Sequence, residues 1–442
     1  MAQFFTPKSN KLKKLSKKIR LSADRLDHKG QGVAEYQGKV VFLPGLLPGE
    51  QAEVQLTEQK KRFAIGKVLN RLNDAPVRIE PTCPHFGACG GCQLQHLSSA
   101  DQRSHKQQSL IELLSKLGDA HCEQVAEPIV GDDWHYRRRA RLAVKMEQGA
   151  LQLGFRQEGS RDIVAIERCP VLVAPFCDLI APLKQLASGL RGRRQLGHIE
   201  LTQTDDGNLA CFRFTQKLAE ADRQQLQQFA ESHSLTVLID GNDGIERLDG
   251  QPLAPFAIGN GEEGLPLAYL PGDFIQVNDA VNRQMVAQAL AWLAPGKDDV
   301  VLDLFAGVGN FSLPLAQRAR AVIAVEGVEQ MVVRGNARAA ELGLKNLSFH
   351  QADLNAEDLS APWLQPVDLL LLDPARAGAV GALAHLGTWQ PKRVLYVSCN
   401  PASLARDAKL LTGQNYRLTR VGLVDMFPHT QHLESMALFE LQ

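Results

Sequence analysis

The sequence predicts a multidomain protein: an N-terminal OB-like β-barrel, a β-rich central domain and a C-terminal α/β domain of the Rossmann-like, doubly wound kind. Three observations carry that reading. Short β-type runs parted by glycine and proline turns fill Leu21 to Leu72, strand-style alternation dominates from about Gln124 to Ala257, and from near Leu265 apolar strands alternate with helical patterns. The expected divisions are a basic arm over 1–20, the barrel over 21–75, a cysteine-bearing central region over 76–262 and the α/β domain over 263–442. A chain of 442 residues with 44% hydrophobic and 22% charged residues can build several cores, which excludes the disordered and fibrous classes. No apolar stretch approaches the roughly 18 residues of a membrane helix, and the basic N-terminus is not followed by the apolar core of a secretory signal. A cytoplasmic protein with no membrane partner is expected.

The formal net charge is zero, yet residues 1–72 hold fifteen Lys and Arg against six Asp and Glu, so this end is +9 and the remainder −9. Within it, KSNKLKKLSKKIR at 8–20 has seven positive charges and no negative one, the composition of an arm that follows phosphates or of a solvated tail. Val40-Val41-Phe42, Ala52 to Leu56 and Ala64 to Val68 then read as strands, with Gly30, Gly32, Gly45 and Gly49 at the turns, the spacing of a small five-stranded barrel. Through GQGVAEYQGKVVF, LPGE and KKRFAIGKV the segment resembles a TRAM domain, which implies RNA held by basic residues and stacked rings.

Cys83, Cys89 and Cys92 follow in a C-x5-C-x2-C pattern, with Gly90 and Gly91 letting the backbone wrap closely around what the sulfurs hold. Eight cysteines in a chain of this size do not suggest a disulfide framework; the bunch suggests a metal or cluster site. A fourth ligand is needed, and Cys169 is chosen because Cys169-Pro170 repeats the Cys83-Pro84 context. Zinc and an iron–sulfur cluster both suit four thiolates, so spacing leaves the two open. In the central region Trp134 to Arg141, WHYRRRAR, sets guanidinium groups beside rings, which suits phosphate pairing and base stacking or a solvated strand.

In the α/β region, Val300 to Phe305 reads as a buried strand, Ala306-Gly307-Val308-Gly309-Asn310 as a glycine turn, and Phe311 onward as a helix with Pro314 in its first turn. The next strand, from Ala321 to Val325, ends in Glu326, placed to take both ribose hydroxyls of a nucleoside. Ser348 to Ala352 ends in Asp353, placed to accept from an adenine amino group, and Val367 to Leu372 ends in Asp373. The turn lacks the third glycine of a dinucleotide fingerprint, so S-adenosylmethionine fits better than a nicotinamide cofactor. Cys399 ends the apolar run VLYVS, where a cysteine alone would more often be packing than chemistry. Beside a methyl donor it has a specific use: a thiolate adding to uracil C6 makes C5 nucleophilic, and a base, Glu434, must then take the C5 proton.

Together DPARAG, VLYVSCNP and DMFPHTQHLESM closely resemble the RNA (uracil-5-)-methyltransferase family over the C-terminal third or so of the chain. The resemblance implies a C-terminal SAM-dependent methyltransferase domain with Cys399 as nucleophile and Glu434 as base. It also implies Gln276 as a donor-site or uracil contact, and Phe305, Asn310, Glu326, Asp353 and Asp373 as the donor pocket. With the TRAM-like front and the four cysteines, the resemblance narrows to members that act on 23S ribosomal RNA. In those, Cys83, Cys89, Cys92 and Cys169 would hold a [4Fe-4S] cluster. A monomer is expected. The alternative readings are a family member acting at another rRNA or tRNA uridine, and a non-catalytic RNA-binding assembly factor.

Overall fold

The computed structural model describes residues 18–261, 265–356 and 361–442, so most of the expected basic arm, through residue 17, lies outside the described residues. The chain divides into two units, Met1–Glu80 with His96–Asp101, and Pro81–Gln95 with Gln102–Gln442.

The first unit is a six-stranded sheet in the order Ile19–Ser22, Gln51–Gln59, Phe63–Arg71, Lys39–Leu43, Gly32–Tyr36, Arg25–Leu26. Neighbours are antiparallel except Lys39–Leu43 and Phe63–Arg71, which run parallel. The sequence predicts five strands; the sixth, Arg25–Leu26, is two residues long and too short to register as an apolar run. Alternate residues Val41, Leu43, Ala52 and Val54 turn inward and are fully buried. Gly66 faces them, and a Cβ there would come within 2.5 Å of Val54 and 2.6 Å of Leu43, so only glycine lets the sheet close over this core. Glu50, also buried, accepts from the Leu47 and Ala75 amides at 2.8 and 3.0 Å and pairs with Arg78.

The second unit holds two large sheets. The central one has seven strands, ordered Ile163–Ala165, Ala150–Arg156, Arg139–Glu147, Leu196–Thr204, Gly207–Phe214, Leu235–Gly241, Gly244–Arg247. One face is covered by helices Ala174–Gly189 and Glu220–Ser232, which an all-strand reading of this region misses. Their signal is present: Phe176, Leu179, Ile180, Leu183 and Ala187 recur at helical spacing and are buried.

The other sheet has eight strands, ordered Leu347–Gln351, Ala321–Glu326, Val300–Leu304, Leu369–Leu372, Arg393–Ser398, Glu434–Leu441, Tyr416–Val424, Gln124–Val125. The first five are parallel and Glu434–Leu441 runs antiparallel to both its neighbours. Both faces are buried, so the strands read as continuous apolar runs. Val301, Leu371, Leu395 and Met436 turn to the face covered by helices Asp279–Leu293 and Glu329–Glu341. Leu302, Leu370, Tyr396 and Phe439 turn to the face covered by helices Ser99–Gly118 and Pro401–Thr412. The helix expected from Phe311 is only Ser312–Ala316, with Pro314 at its third position.

Candidate functional site

Strand order fans outward in both directions from the gap between Val300–Leu304 and Leu369–Leu372, the switch point where an open α/β sheet leaves a crevice beyond its carboxyl ends. The sequence places its chemistry on that rim. Phe305 follows the first of these strands, Asp373 the second, Glu326 ends its strand, and Asp353 lies two residues beyond Gln351. Cys399 follows Ser398, and Glu434 opens the antiparallel strand whose Ser435 pairs with Ser398. The thiol and the carboxylate thus flank the same end of that pair, near enough for the Glu434 charge to act on the thiol.

The glycine turn is shaped for close approach. Phe305 has φ +65°, a left-handed conformation that costs a non-glycine residue about 1–3 kcal/mol and marks functional sites, and Gly307 and Gly309 also have positive φ. The Gly307 amide donates to Glu326 Oε2 at 2.9 Å and the Val328 amide to Oε1 at 3.0 Å, which fixes the carboxylate at the crevice. Asn310 exchanges two hydrogen bonds of 3.0 Å with Asn282, a buried residue of the helix Asp279–Leu293. Asp353 is exposed and accepts from the Asn355 amide at 3.0 Å. Gln276 is buried, and its backbone carbonyl accepts from Arg138 Nε at 2.9 Å; Arg138 also pairs with Asp279 at 2.8 Å.

One member of the site escapes a sequence reading. Asp303, inside the apolar run Val300–Leu304, is 1% exposed; its Oδ2 accepts from Ser312 Oγ at 2.5 Å, and its Oδ1 has no partner among the described residues. An acid within a buried strand was the available signal. Burial pushes Asp303 up to about 7, with the charges of Asp373 and Glu326 adding to it and the Ser312 hydroxyl opposing. Asp373 keeps some accessible surface, yet the protein packed around it pushes its carboxyl up to about 7 as well. Glu434 is raised well above the carboxylate range by burial and by the charge of Asp373. Burial, then Glu434 and Asp373, push the Cys399 thiol up to about 11, while Arg376 pulls the other way. A rim crowded with acids and a high thiol favours a bound cation.

Three turns converge at Cys399. Asn400 caps the helix Pro401–Thr412 by accepting from the Ala402 amide at 3.2 Å, and its Nδ2 donates to the Arg376 carbonyl at 2.9 Å. Arg376 Nη2 lies 3.3 Å from His432 Nδ1. The loop 373–378 is therefore tied to both the Cys399 turn and the loop before Glu434. That second loop carries its own strain: His429 has φ +67°.

The four chosen cysteines come together. Cys83, Cys89, Cys92 and Cys169 line one cavity of about 240 Å³, together with Tyr136, Phe155, Thr430 and His432. Burial and mutual charge repulsion raise Cys89, raise Cys92 to about 11 and raise Cys169 to about 12. Cys89 bridges to Gln157 of the neighbouring hairpin, and the Gly90 amide donates to the Arg156 carbonyl at 2.9 Å. A Cβ on Gly90 would sit 2.9 Å from that carbonyl oxygen and from the Glu158 nitrogen, so the tight wrap requires glycine. Among the described residues no three His, Cys, Asp or Glu side chains converge to hold a single ion.

The segment Trp134 to Arg141 departs from the nucleic-acid face its composition suggests. Tyr136 and Arg138 are buried, Trp134 stacks on His429 with centroids 3.9 Å apart, and Arg139 pairs with Glu200 at 2.8 Å. Arg141 is open, with 64% of its side chain exposed, as is His135, and Arg137 is half-buried.

Residues 99–442 match the tRNA (uracil-5-)-methyltransferase family and residues 14–69 match the TRAM domain. A protein of Shewanella amazonensis named 23S rRNA (uracil(1939)-C(5))-methyltransferase RlmD is 53% identical over the whole of both chains. Proteins of the same name from Shewanella frigidimarina and Shewanella woodyi are 49% and 48% identical, again over the whole of both chains. Among solved structures, the Pyrococcus abyssi tRNA (uracil-54, C5)-methyltransferase in complex with S-adenosyl-L-homocysteine shares the fold, with TM-score 0.73 and 22% identity, over 95% of this chain and 100% of that one.

Proposed function

This chain belongs to the tRNA (uracil-5-)-methyltransferase family, and from that membership we propose that it transfers a methyl group from S-adenosylmethionine to C5 of a uracil in 23S ribosomal RNA, at the position numbered 1939. The observation that supports the chemistry most is the pairing of Ser398 with Ser435, which makes Cys399 and Glu434 neighbours at the rim of the crevice. With it goes a division of labour: RNA binding by 21–75, the cysteine set within 76–262, and methyl transfer by 263–442. The work is assigned to the cytoplasm and to a monomer. No helix among the described residues is long and apolar enough to cross a membrane.

Uracil C5 is a poor nucleophile, so the ring must first be activated. The Cys399 thiolate adds to C6; as the S–C6 bond forms, the C5–C6 π pair moves into an enolate ending on O4. The bound donor supplies an electrophilic methyl group on a cationic sulfur, which C5 takes while the bonding pair stays with the donor sulfur. Glu434 then removes the C5 proton, the C5–C6 double bond re-forms, and the thiolate leaves. Burial makes the Glu434 carboxylate a stronger base than a surface glutamate, and a nearby cation favours its ionised form. Gln276, Phe305, Asn310, Glu326, Asp353 and Asp373 are assigned to the donor pocket. The orphaned Asp303 Oδ1, the pre-oriented Glu326 and the crowding of acids support that fit to a cationic nucleoside.

We assign Cys83, Cys89, Cys92 and Cys169 to a [4Fe-4S] cluster. Four cysteines that line one cavity suit such a cluster, and the family resemblance favours it over a zinc ion. When bound, such a cluster would cross-link the loop over 83–92 to the turn at Cys169.

The test uses the full-length protein, the donor and a 23S RNA fragment carrying 5-fluorouridine at the target. Fluorine cannot leave as a cation, so the methylated adduct is expected to persist as a denaturation-resistant protein–RNA band that Cys399→Ala abolishes. A band of equal strength with Cys399→Ala would refute the nucleophile assignment.

A further inference from the structure

The loop that leads into Glu434 is held almost entirely from outside its own sheet. His429 donates its amide to Gln102 Oε1 at 2.8 Å, and its carbonyl accepts from the Gln93 and Leu94 amides at 3.0 and 2.9 Å. Gln102 Nε2 lies 3.2 Å from His429 Nδ1 and donates to the Leu94 carbonyl at 3.0 Å, so one buried side chain ties the cysteine-bearing segment and this loop together. Gln93 Oε1 accepts from the Gln431 amide at 3.3 Å while its Nε2 donates to the Gly90 carbonyl at 2.8 Å, between Cys89 and Cys92. Tyr136 donates to the Pro428 carbonyl at 3.0 Å. Lys106, 3% exposed, holds Asp425 at 3.1 Å and the Phe427 carbonyl at 3.2 Å. His429 keeps its left-handed backbone only because these contacts over-determine it.

We propose that Gln102 and Gln93 are positioning residues for the proposed base: the cysteine-bearing segment acts as a brace that sets the Glu434 loop through His429. The inference rests on the assignment of Glu434 as base. It gives the cysteine cavity a task as well, since Thr430 and His432 of the same loop form part of its wall. Cys399 is held by different contacts, from Asn400 and the carbonyl of Arg376, and its turn meets the braced loop through the exposed Arg376 side chain, 3.3 Å from His432 Nδ1. Loosening the brace should therefore slow proton removal at C5 and leave attack at C6 nearly unchanged.

The experiment follows one turnover of full-length, cluster-loaded protein on a uridine-containing 23S fragment, and measures separately how fast the denaturation-resistant adduct forms and how fast it decays. Gln102→Leu and Gln93→Ala should slow decay about tenfold, keep formation within about twofold, and bind donor as the parent does. Glu434→Gln is run beside them. Both Gln102→Leu and Gln93→Ala showing parental decay, or formation and decay slowed alike, would overturn the brace while adduct build-up in Glu434→Gln upholds the base. No build-up in Glu434→Gln would remove the base assignment, and the brace with it. Gln93 is only partly buried, so Gln93→Ala remains informative where Gln102→Leu fails to fold.

Discussion

Cys399 and Glu434 each stand one residue beyond the last pair, Ser398–Ser435, of two antiparallel strands at the carboxyl rim of the eight-stranded sheet, and the Glu434 charge acts on the Cys399 thiol. Burial and neighbouring acids push the thiol up to about 11, and burial with the charge of Asp373 raises the Glu434 carboxyl. A cation between them shifts both toward ionisation.

Alkylation of Cys399 by iodoacetamide should show this. Without donor the rate should climb about tenfold per pH unit from neutrality toward the thiol value near 11. Binding of S-adenosylmethionine should move the profile down by about one pH unit or more, while neutral S-adenosylhomocysteine should leave it in place. Identical profiles with the two ligands would mean that the sulfonium does not face the thiol.

Protein prepared without oxygen should be brown and carry about four irons per chain. Cys83→Ser, Cys89→Ser, Cys92→Ser and Cys169→Ser should each lose the colour, whereas Cys177→Ser and Cys211→Ser, buried outside the cysteine cavity, should keep it. A colourless protein binding one zinc would contradict the cluster.

In the first unit, burial raises the Glu50 carboxyl, but Arg78 and the Leu47 and Ala75 amides outweigh it and leave it below its ordinary 4.5. Its contribution to stability is therefore complete above that value and is lost as pH falls through the depressed folded value. Glu50→Gln strips the half-buried Arg78 of its carboxylate partner and should destabilise this unit by about 2 kcal/mol, with a shallower acid dependence, measured by urea unfolding between pH 3 and 7.

Deleting residues 1–72 removes +9 of formal charge. The shortened chain should bind ribosomal RNA more weakly and with a flatter dependence of log K on log salt, while methylating a short RNA at saturation within about tenfold of the intact rate. Fluorescence anisotropy across a salt series checks the first statement and labelled methyl transfer the second.

Much of this was legible because both faces of the C-terminal sheet are buried: its strands stand out as apolar runs, and each polar residue ending one marks the rim. Asp303 was missed because it sits one residue inside its run, where a carboxylate reads as an irregularity of the strand. The helices at Ala174 and Glu220 were lost in a region whose strands dominate the pattern, and Ser312–Ala316 is shorter than its helical composition suggests. Trp134 and Tyr136 looked like a base-stacking surface because rings beside arginines have the same composition whether they face RNA or a neighbouring loop. Gln93 and Gln102 carry no sequence signal at all, and His429 stands out only as part of DMFPHTQHLESM. Their contacts run largely through backbone amides and carbonyls of segments more than three hundred residues apart, which only the folded chain brings together.

The most direct measurement of the central claim is mass-spectrometric mapping of 5-methyluridine in 23S ribosomal RNA from cells that lack this chain, complemented with the parent protein or with Cys399→Ala. The methyl group at uracil 1939 should be absent without the chain, return with the parent and stay absent with Cys399→Ala. Methylation that persists in the absence of the chain, or that Cys399→Ala restores, would contradict that claim.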